Sequence, residues 1–303
     1  MRAVAQRTFL WRIWERMLET EFVDRSIALA GKAFVSFFPL VIVVAAFLPA
    51  RSRAAIFSTL TTRLGISGDS LDLVQGALNS SEDVKRATGI LGLITTIFFA
   101  ASFTTALQRV YMRAWRRPPG LKLGAYTRGL LWLAAMLLQM TLTGAIGRTL
   151  GHGVGVPFVV VGVFAIQVGW WWFTSWYLML GHVRWRPLLP GALLSTVLML
   201  GYAASASIWM PDVVTRNQDQ FGFFGVALAL ITWISGASVC LLIGACAGPV
   251  IAEDSGAIGR FVRGSSGEVL APGAPPSLGP PTRELRLRDA FTSGSDEDIM
   301  PPG

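Results

Sequence analysis

The chain has 303 residues, of which 52% are hydrophobic and only 15% charged, where a soluble domain carries roughly 25% charge. Those charges cluster between long apolar runs, which excludes an ordinary soluble domain and points to an all-α, polytopic integral membrane protein. A formal charge of +8 would suit nucleic acid in a soluble chain. Here it marks cytoplasmic loops beside anionic lipid headgroups, and no nucleic-acid partner is expected.

Residues 7–22 carry Phe9, Leu10, Ile13, Trp14, Met17 and Leu18 on one helical stripe, with Arg7, Arg12, Glu15, Arg16 and Glu19 on other faces. That pattern predicts an N-terminal amphipathic helix, lying on the inner membrane surface or packed against the bundle. About six transmembrane helices follow: Ile27–Leu48, Thr88–Leu107, Gly129–Thr149, Val156–Leu180, Leu188–Met210 and Phe223 to about Ile251. Each approaches the ~20 residues a bilayer requires, and in hydrocarbon a helix satisfies its own backbone polar groups. Pro187 and Pro190 suit the first turn of the fifth. The polar connection Arg51–Arg86 predicts two short surface helices, and Gly151–Gly155 a tight hairpin. From Gly264 onward glycine, proline and serine dominate, which predicts a disordered tail. Its acidic end is Asp296-Glu297-Asp298. The implied organisation is a cytoplasmic segment 1–26, a six-helix membrane domain 27–252 and a disordered cytoplasmic tail 253–303.

Lysine and arginine number eighteen on the side of the termini and seven on the other. By the positive-inside rule both termini are then cytoplasmic and the chain is a multi-pass plasma-membrane protein. The connection 108–128 holds no acid, which strengthens that orientation; the first outer loop, with five cations, runs against it. Trp170, Trp171, Trp172, Trp176 and Tyr177 close the fourth span and read as an aromatic belt or as packing.

No catalytic constellation emerges: there is no nucleophile elbow, phosphate loop or zinc-protease helix. The two cysteines lie six residues apart on one span, and the two histidines at opposite ends of another. Neither pair suits a metal or a disulfide, so no metal, cofactor or enzymatic activity is expected. Polar groups inside spans are costly and mark candidate sites. They are Lys32, Ser36 and Pro39 in the first span, Gln139 in the third and Gln167 in the fourth. Lys32 reaches either the inner headgroups or an internal cavity. Pro39 frees a backbone carbonyl, and a broken helix with polar groups is one way transporters build a site. Gln139 and Gln167 suit an interhelical hydrogen bond. The hydroxyls of Thr95, Thr96, Ser102 and Thr105 suit bonds back to their own helix. Small residues at Ser235–Ser238 and Gly244-Ala245 allow close helix contact within the chain or in a homo-oligomer.

Several short stretches together carry a family resemblance over residues 8–252. They are Asp24, Ser36-Phe37-Phe38-Pro39-Leu40, Ala106-Leu107-Gln108-Arg109, Trp185-Arg186-Pro187-Leu188-Leu189-Pro190-Gly191-Ala192-Leu193, Phe221-Gly222-Phe223-Phe224-Gly225, Trp233 and Gly244-Ala245. In their order and spacing the chain resembles the YihY/BrkB family of bacterial inner-membrane proteins, formerly labelled ribonuclease BN. It departs from that pattern at Gly31-Lys32 and at Cys246 and Gly248. The resemblance implies a six-helix inner-membrane protein and does not supply a molecular function. Two readings remain: transport or permeation of a small solute or lipid, and a non-transporting membrane scaffold for envelope integrity. A membrane-bound ribonuclease is disfavoured, because phosphoryl hydrolysis normally wants metal ligands.

Overall fold

The computed structural model describes residues 9–47, 82–118, 124–150, 156–264 and 269. It is helical, and the elements in chain order are α1 Phe9–Glu19, α2 Phe22–Phe47, α3 Glu82–Ala114, α4 Ala125–Leu150, α5 Val156–Leu178, α6 Leu189–Phe221, α7 Phe223–Glu253 and α8 Ala257–Arg263. A 3-10 turn over Arg186–Leu188 leads into α6 and puts Pro187 and Pro190 in opening turns, where a missing N–H costs nothing. Three segments among the described residues are long and apolar enough to cross a membrane: Pro157–Leu178, Arg186–Phe221 and Phe224–Glu253.

The six long apolar runs each become one long helix, but the limits shift. Helix α2 begins five residues before the expected span, α3 reaches back to Glu82 and on to Ala114, and α6 continues eleven residues past Met210. The α6 extension exposes Asp212, Arg216 and Asp219. It is held by Met210 and Val214 packing on Val226 and Ala229 of α7. Apolarity marks where a helix needs lipid, whereas the helix itself persists wherever its backbone bonds and one packed face are kept. The region assigned to the tail from 253 contains a further helix, α8. It follows because Arg263 donates to the carbonyls of Ala252 and Asp254, while Gly259 and Val262 face inward. The expected surface helices over 51–81, the connection 151–155, and the tail beyond 269 lie outside the described residues.

Each of α2 to α7 packs on the next, and α7 returns to α2, so the six helices close into a ring. The most extensive contact joins α6 and α7, which turn about the single residue Gly222 at φ +58°, a conformation that favours glycine. Their seam is made of small residues. A Cβ on Gly244 would stand 2.1 Å from Ser195 Oγ, and one on Gly191 would stand 3.1 Å from Gly248 Cα. The small-residue stripe of the last span is therefore used within the chain.

The largest core lies at the end of the ring that carries α1 and α8. There Leu107, Tyr111 and Trp115 of α3 meet Leu178 and Met179 of α5 and its end, Ala192 of α6, and Leu242 and Cys246 of α7. Burial of so many large side chains, at roughly 1.5–3 kcal/mol each, plugs this end of the ring.

Candidate functional site

Above that plug the ring lines a half-open cavity of about 360 Å³. All six ring helices contribute to its wall. Three of them do so through residues one helical turn apart: Leu29, Ala33 and Ser36 from α2, Trp132, Met136 and Gln139 from α4, Trp233, Ala237 and Leu241 from α7. Spacings of three, four and seven bring such residues onto one face of a helix. From α5 come Gln167, Trp170 and Trp171 at the same spacing, while Thr96 and Phe103 of α3 and Met199 of α6 add to the lining. Among the described residues no Lys, Arg, Asp, Glu or His is part of the lining.

The polar groups of the wall fall into two sets. Gln139 Nε2 donates to Gln167 Oε1 across the α4–α5 contact and to Thr143 Oγ1 at 3.1 Å. The pair leaves Gln139 Oε1 as an acceptor and Gln167 Nε2 as a donor with no partner among the described residues. Ser36 Oγ is turned back to Ala33 O at 2.9 Å, and Thr105 behaves likewise toward Ala101 O at 2.7 Å. Thr96 breaks that habit. Its hydroxyl is buried without a partner, and so is the indole N–H of Trp171. Both atoms are covered by neighbouring side chains and backbone, so neither presents its polar group to the cavity.

Of the polar residues singled out from the sequence, the cavity brings together Ser36, Gln139 and Gln167. Lys32 lies outside the lining, half-buried on α2 and within electrostatic range of Arg109. The chain remains helical through Pro39, from Phe22 to Phe47, so the first span is not a broken helix. The side chain of Pro39 and that of Arg148 lie outside the described residues. The tryptophans at the end of α5 divide. Trp170 and Trp171 are core, with Trp170 5.5 Å from the Trp132 ring. Trp172 stacks on Trp185 at 4.8 Å, and Trp176 is exposed. Trp132 was not singled out from the sequence, while Thr96, Trp171 and Trp233 were noted there for other reasons: a bond back to the helix, an aromatic belt or packing, and the family resemblance. Their shared stripes were present in it, but the loss of a hydrogen-bond partner is a property of the packed structure.

At the plugged end α1 is turned with its charged face inward. Arg16, 5% exposed, donates to Ala114 O at 3.1 Å and Glu253 Oε2 at 2.9 Å. Arg12 meets Asp254 at 2.6 Å, and Arg116 grips Glu19 through two nitrogens at 2.5 and 3.1 Å. Phe9, Leu10, Trp14 and Leu18 point outward. Both expectations for this helix thus meet in one arrangement: it is packed on the bundle, and its apolar stripe is left on the surface. Several cations counted toward lipid headgroups are instead paired with acids of α1 and its neighbours.

A family model described as Virulence factor BrkB matches residues 13–260. The chain belongs to the BrkB family. The match runs past the stretch that carries the sequence resemblance and takes in most of α8. No curated protein and no solved structure matches the chain. The BrkB motifs have local structural reasons here. Phe221-Gly222-Phe223-Phe224-Gly225 is the α6–α7 turn, where a Cβ on Gly225 would fall 1.8 Å from Asn217 O. Gly244-Ala245 and Pro190-Gly191 form the seam between the same helices. Leu107 and Gln108 of the Ala106–Arg109 motif are buried at the plug. Among the described residues no group of three His, Cys, Asp or Glu is placed to hold a metal ion.

Proposed function

We propose that this BrkB-family membrane protein spans the bacterial inner membrane six times, with both termini in the cytoplasm, and that it conducts a small solute or lipid through the ring. The observation that carries this reading is the cavity to which all six ring helices contribute, polar on part of its wall and closed at one end by packed side chains. An internal site with a plug on one side is what alternating access requires. The plugged end carries α1, α8 and the arginine-rich connection after α3, and that excess of cations supports a cytoplasmic location for it. No bond-breaking step is involved, and the protein acts as a conduit, not an enzyme. The small-residue seam lends the scaffold reading no free surface, because α6 and α7 already consume it.

The test is flux into proteoliposomes. Wild type and Gln167→Leu are compared over a panel of small neutral solutes, ions and labelled lipids. Protein-dependent flux that falls at least ten-fold in the variant, with the fold retained, is the expected result. Flux no greater than that of empty vesicles across the panel, from correctly folded protein, would sink the reading.

A further inference from the structure

Outside the cavity, we infer that Lys32 and Arg109 form a site on the outer face of α2 and α3 for the phosphate of an anionic phospholipid, taken from the leaflet at the plugged end. Near the end of α3, Arg113 bonds Glu19 O at 3.1 Å and Glu21 at 2.9 Å, just before α2 begins. The two packed helices therefore run in opposite directions. Arg109 stands one turn deeper than Arg113, about 6 Å by helix rise. Lys32 stands five residues into the apolar run that starts at Ile27, about 7 Å deep, and a lysine stem of similar reach returns its ammonium toward Arg109. The two side chains are within electrostatic range of each other. Lys32 is half-buried and Arg109 exposed, so both are open to a ligand outside the ring. Five arginines at this end each meet a carboxylate: Arg12 with Asp254, Arg16 with Glu253, Arg25 and Arg113 with Glu21, and Arg116 with Glu19. Among the described residues Lys32 and Arg109 make no ion pair, not even with Asp24, the exposed acid in the first turn of α2. Two like charges side by side at the edge of hydrocarbon repel, and an anion between them replaces that repulsion with two attractions. A phosphate diester supplies the charge and the acceptor oxygens. The rest of the face suits the chain of a lipid rather than free phosphate. Val35 lies one turn beyond Lys32, and Phe98 lies three turns beyond Arg109 on the same stripe of α3. Both are exposed, and nothing stands within 4 Å of a Cβ built on Gly31 beside Lys32. Toward mid-membrane the face thus changes from cationic to apolar, as a phospholipid changes from phosphate to acyl chain. The site is separate from the cavity and stands whether or not the ring conducts.

Native mass spectrometry of the full-length protein, released from detergent micelles, counts the lipids it retains. The protein is titrated with phosphatidylglycerol and with phosphatidylcholine of the same chains, and inorganic phosphate is added in excess as a competitor. The expected result is saturable retention of a phosphatidylglycerol molecule, bound about five-fold or more tightly than phosphatidylcholine and not displaced by inorganic phosphate. Lys32→Gln and Arg109→Gln should each weaken it by about five-fold, the effect of one cation near a membrane surface. Lys32→Arg keeps the charge and should keep the lipid. Arg260→Gln, which removes an exposed cation of α8, should leave binding unchanged. Equal retention of the two lipids by wild type, or no saturable retention, overturns the site without any variant. An effect of Arg260→Gln as large as that of Lys32→Gln also overturns it, because the attraction would then be diffuse. Displacement by inorganic phosphate overturns the lipid as occupant. If Lys32→Gln fails to fold, Arg109→Gln and the wild-type comparison of the two lipids decide the matter.

Discussion

Arg16 and Glu253 are 237 positions apart in the chain, yet their side chains meet at 2.9 Å, and the same guanidinium holds the carbonyl of Ala114 at 3.1 Å. One side chain near the N-terminus thereby joins the end of α3 to the end of α7. Hydrogen bonds to a charged group contribute roughly 1.5–3 kcal/mol, and Arg16 is almost fully buried.

Arg16→Ala should therefore lower stability by about 2–3 kcal/mol. Thermal unfolding of the detergent-solubilised protein checks this. A loss no larger than that of an exposed α1 substitution such as Glu15→Ala would show that the clamp is ornamental.

The neighbouring pair responds to acid. The carboxylate of Asp254 accepts from the Gly256 N–H at 2.9 Å and then from Arg12. Together these hold it below its ordinary value of 3.8. A carboxyl with a depressed folded-state pKa stabilises the fold above its unfolded value, and that contribution disappears as pH falls through the folded value. Wild type should exceed Asp254→Asn in melting temperature at pH 6, and the difference should close as pH is lowered from about 3.8. A gap that stays constant down to pH 2.5 would contradict the assignment.

At the α6–α7 seam, Gly244→Ala forces a methyl group toward the backbone of Ser195, whose Cα and N would lie 2.9 Å away. Overpacking of this kind costs about 1–3 kcal/mol. Gly201→Ala on α6, where nothing lies within 4 Å, should be neutral or stabilising by up to about 1 kcal/mol, because alanine favours a helix. Melting temperatures of the two variants moving in the same direction would contradict the seam.

The Gln139–Gln167 bond is open to a double-mutant cycle. Single Leu substitutions should each cost little, and the coupling energy should be near 0.6 kcal/mol, with an upper range of about 1.7, as for other interhelical bonds in membranes. Zero coupling would mean that the amides face the cavity separately.

Much of this arrangement was legible in the residues. Long apolar runs require helices, so all six were found, and the bond between Gln139 and Gln167 followed from the cost of isolated polar groups in lipid. Other features were not legible, for reasons of physics. Lys32 has two affordable resting places, and only packing chooses between them. A stripe of apolar residues, as on α1, states that two faces differ without stating which faces inward. For α1 the decisive fact is the position of Glu253 and Asp254, which no local pattern encodes. The orphaned Trp171 N–H is likewise a relation between helices and leaves no mark on α5 alone.

The clamp between Arg16 and Glu253 also sets an order of events during synthesis. At roughly 5–20 residues per second, the partner of Arg16 is made some ten to fifty seconds after Arg16 itself. For much of that interval α1 has only the end of α3 to dock on, through Ala114 and Arg116, and Arg12 and Arg16 lack their acidic partners on α7 and after it. Ring closure is then the last step of assembly, and a nascent chain stalled before residue 253 should leave α1 open to protease, while one stalled well beyond residue 264 should protect it.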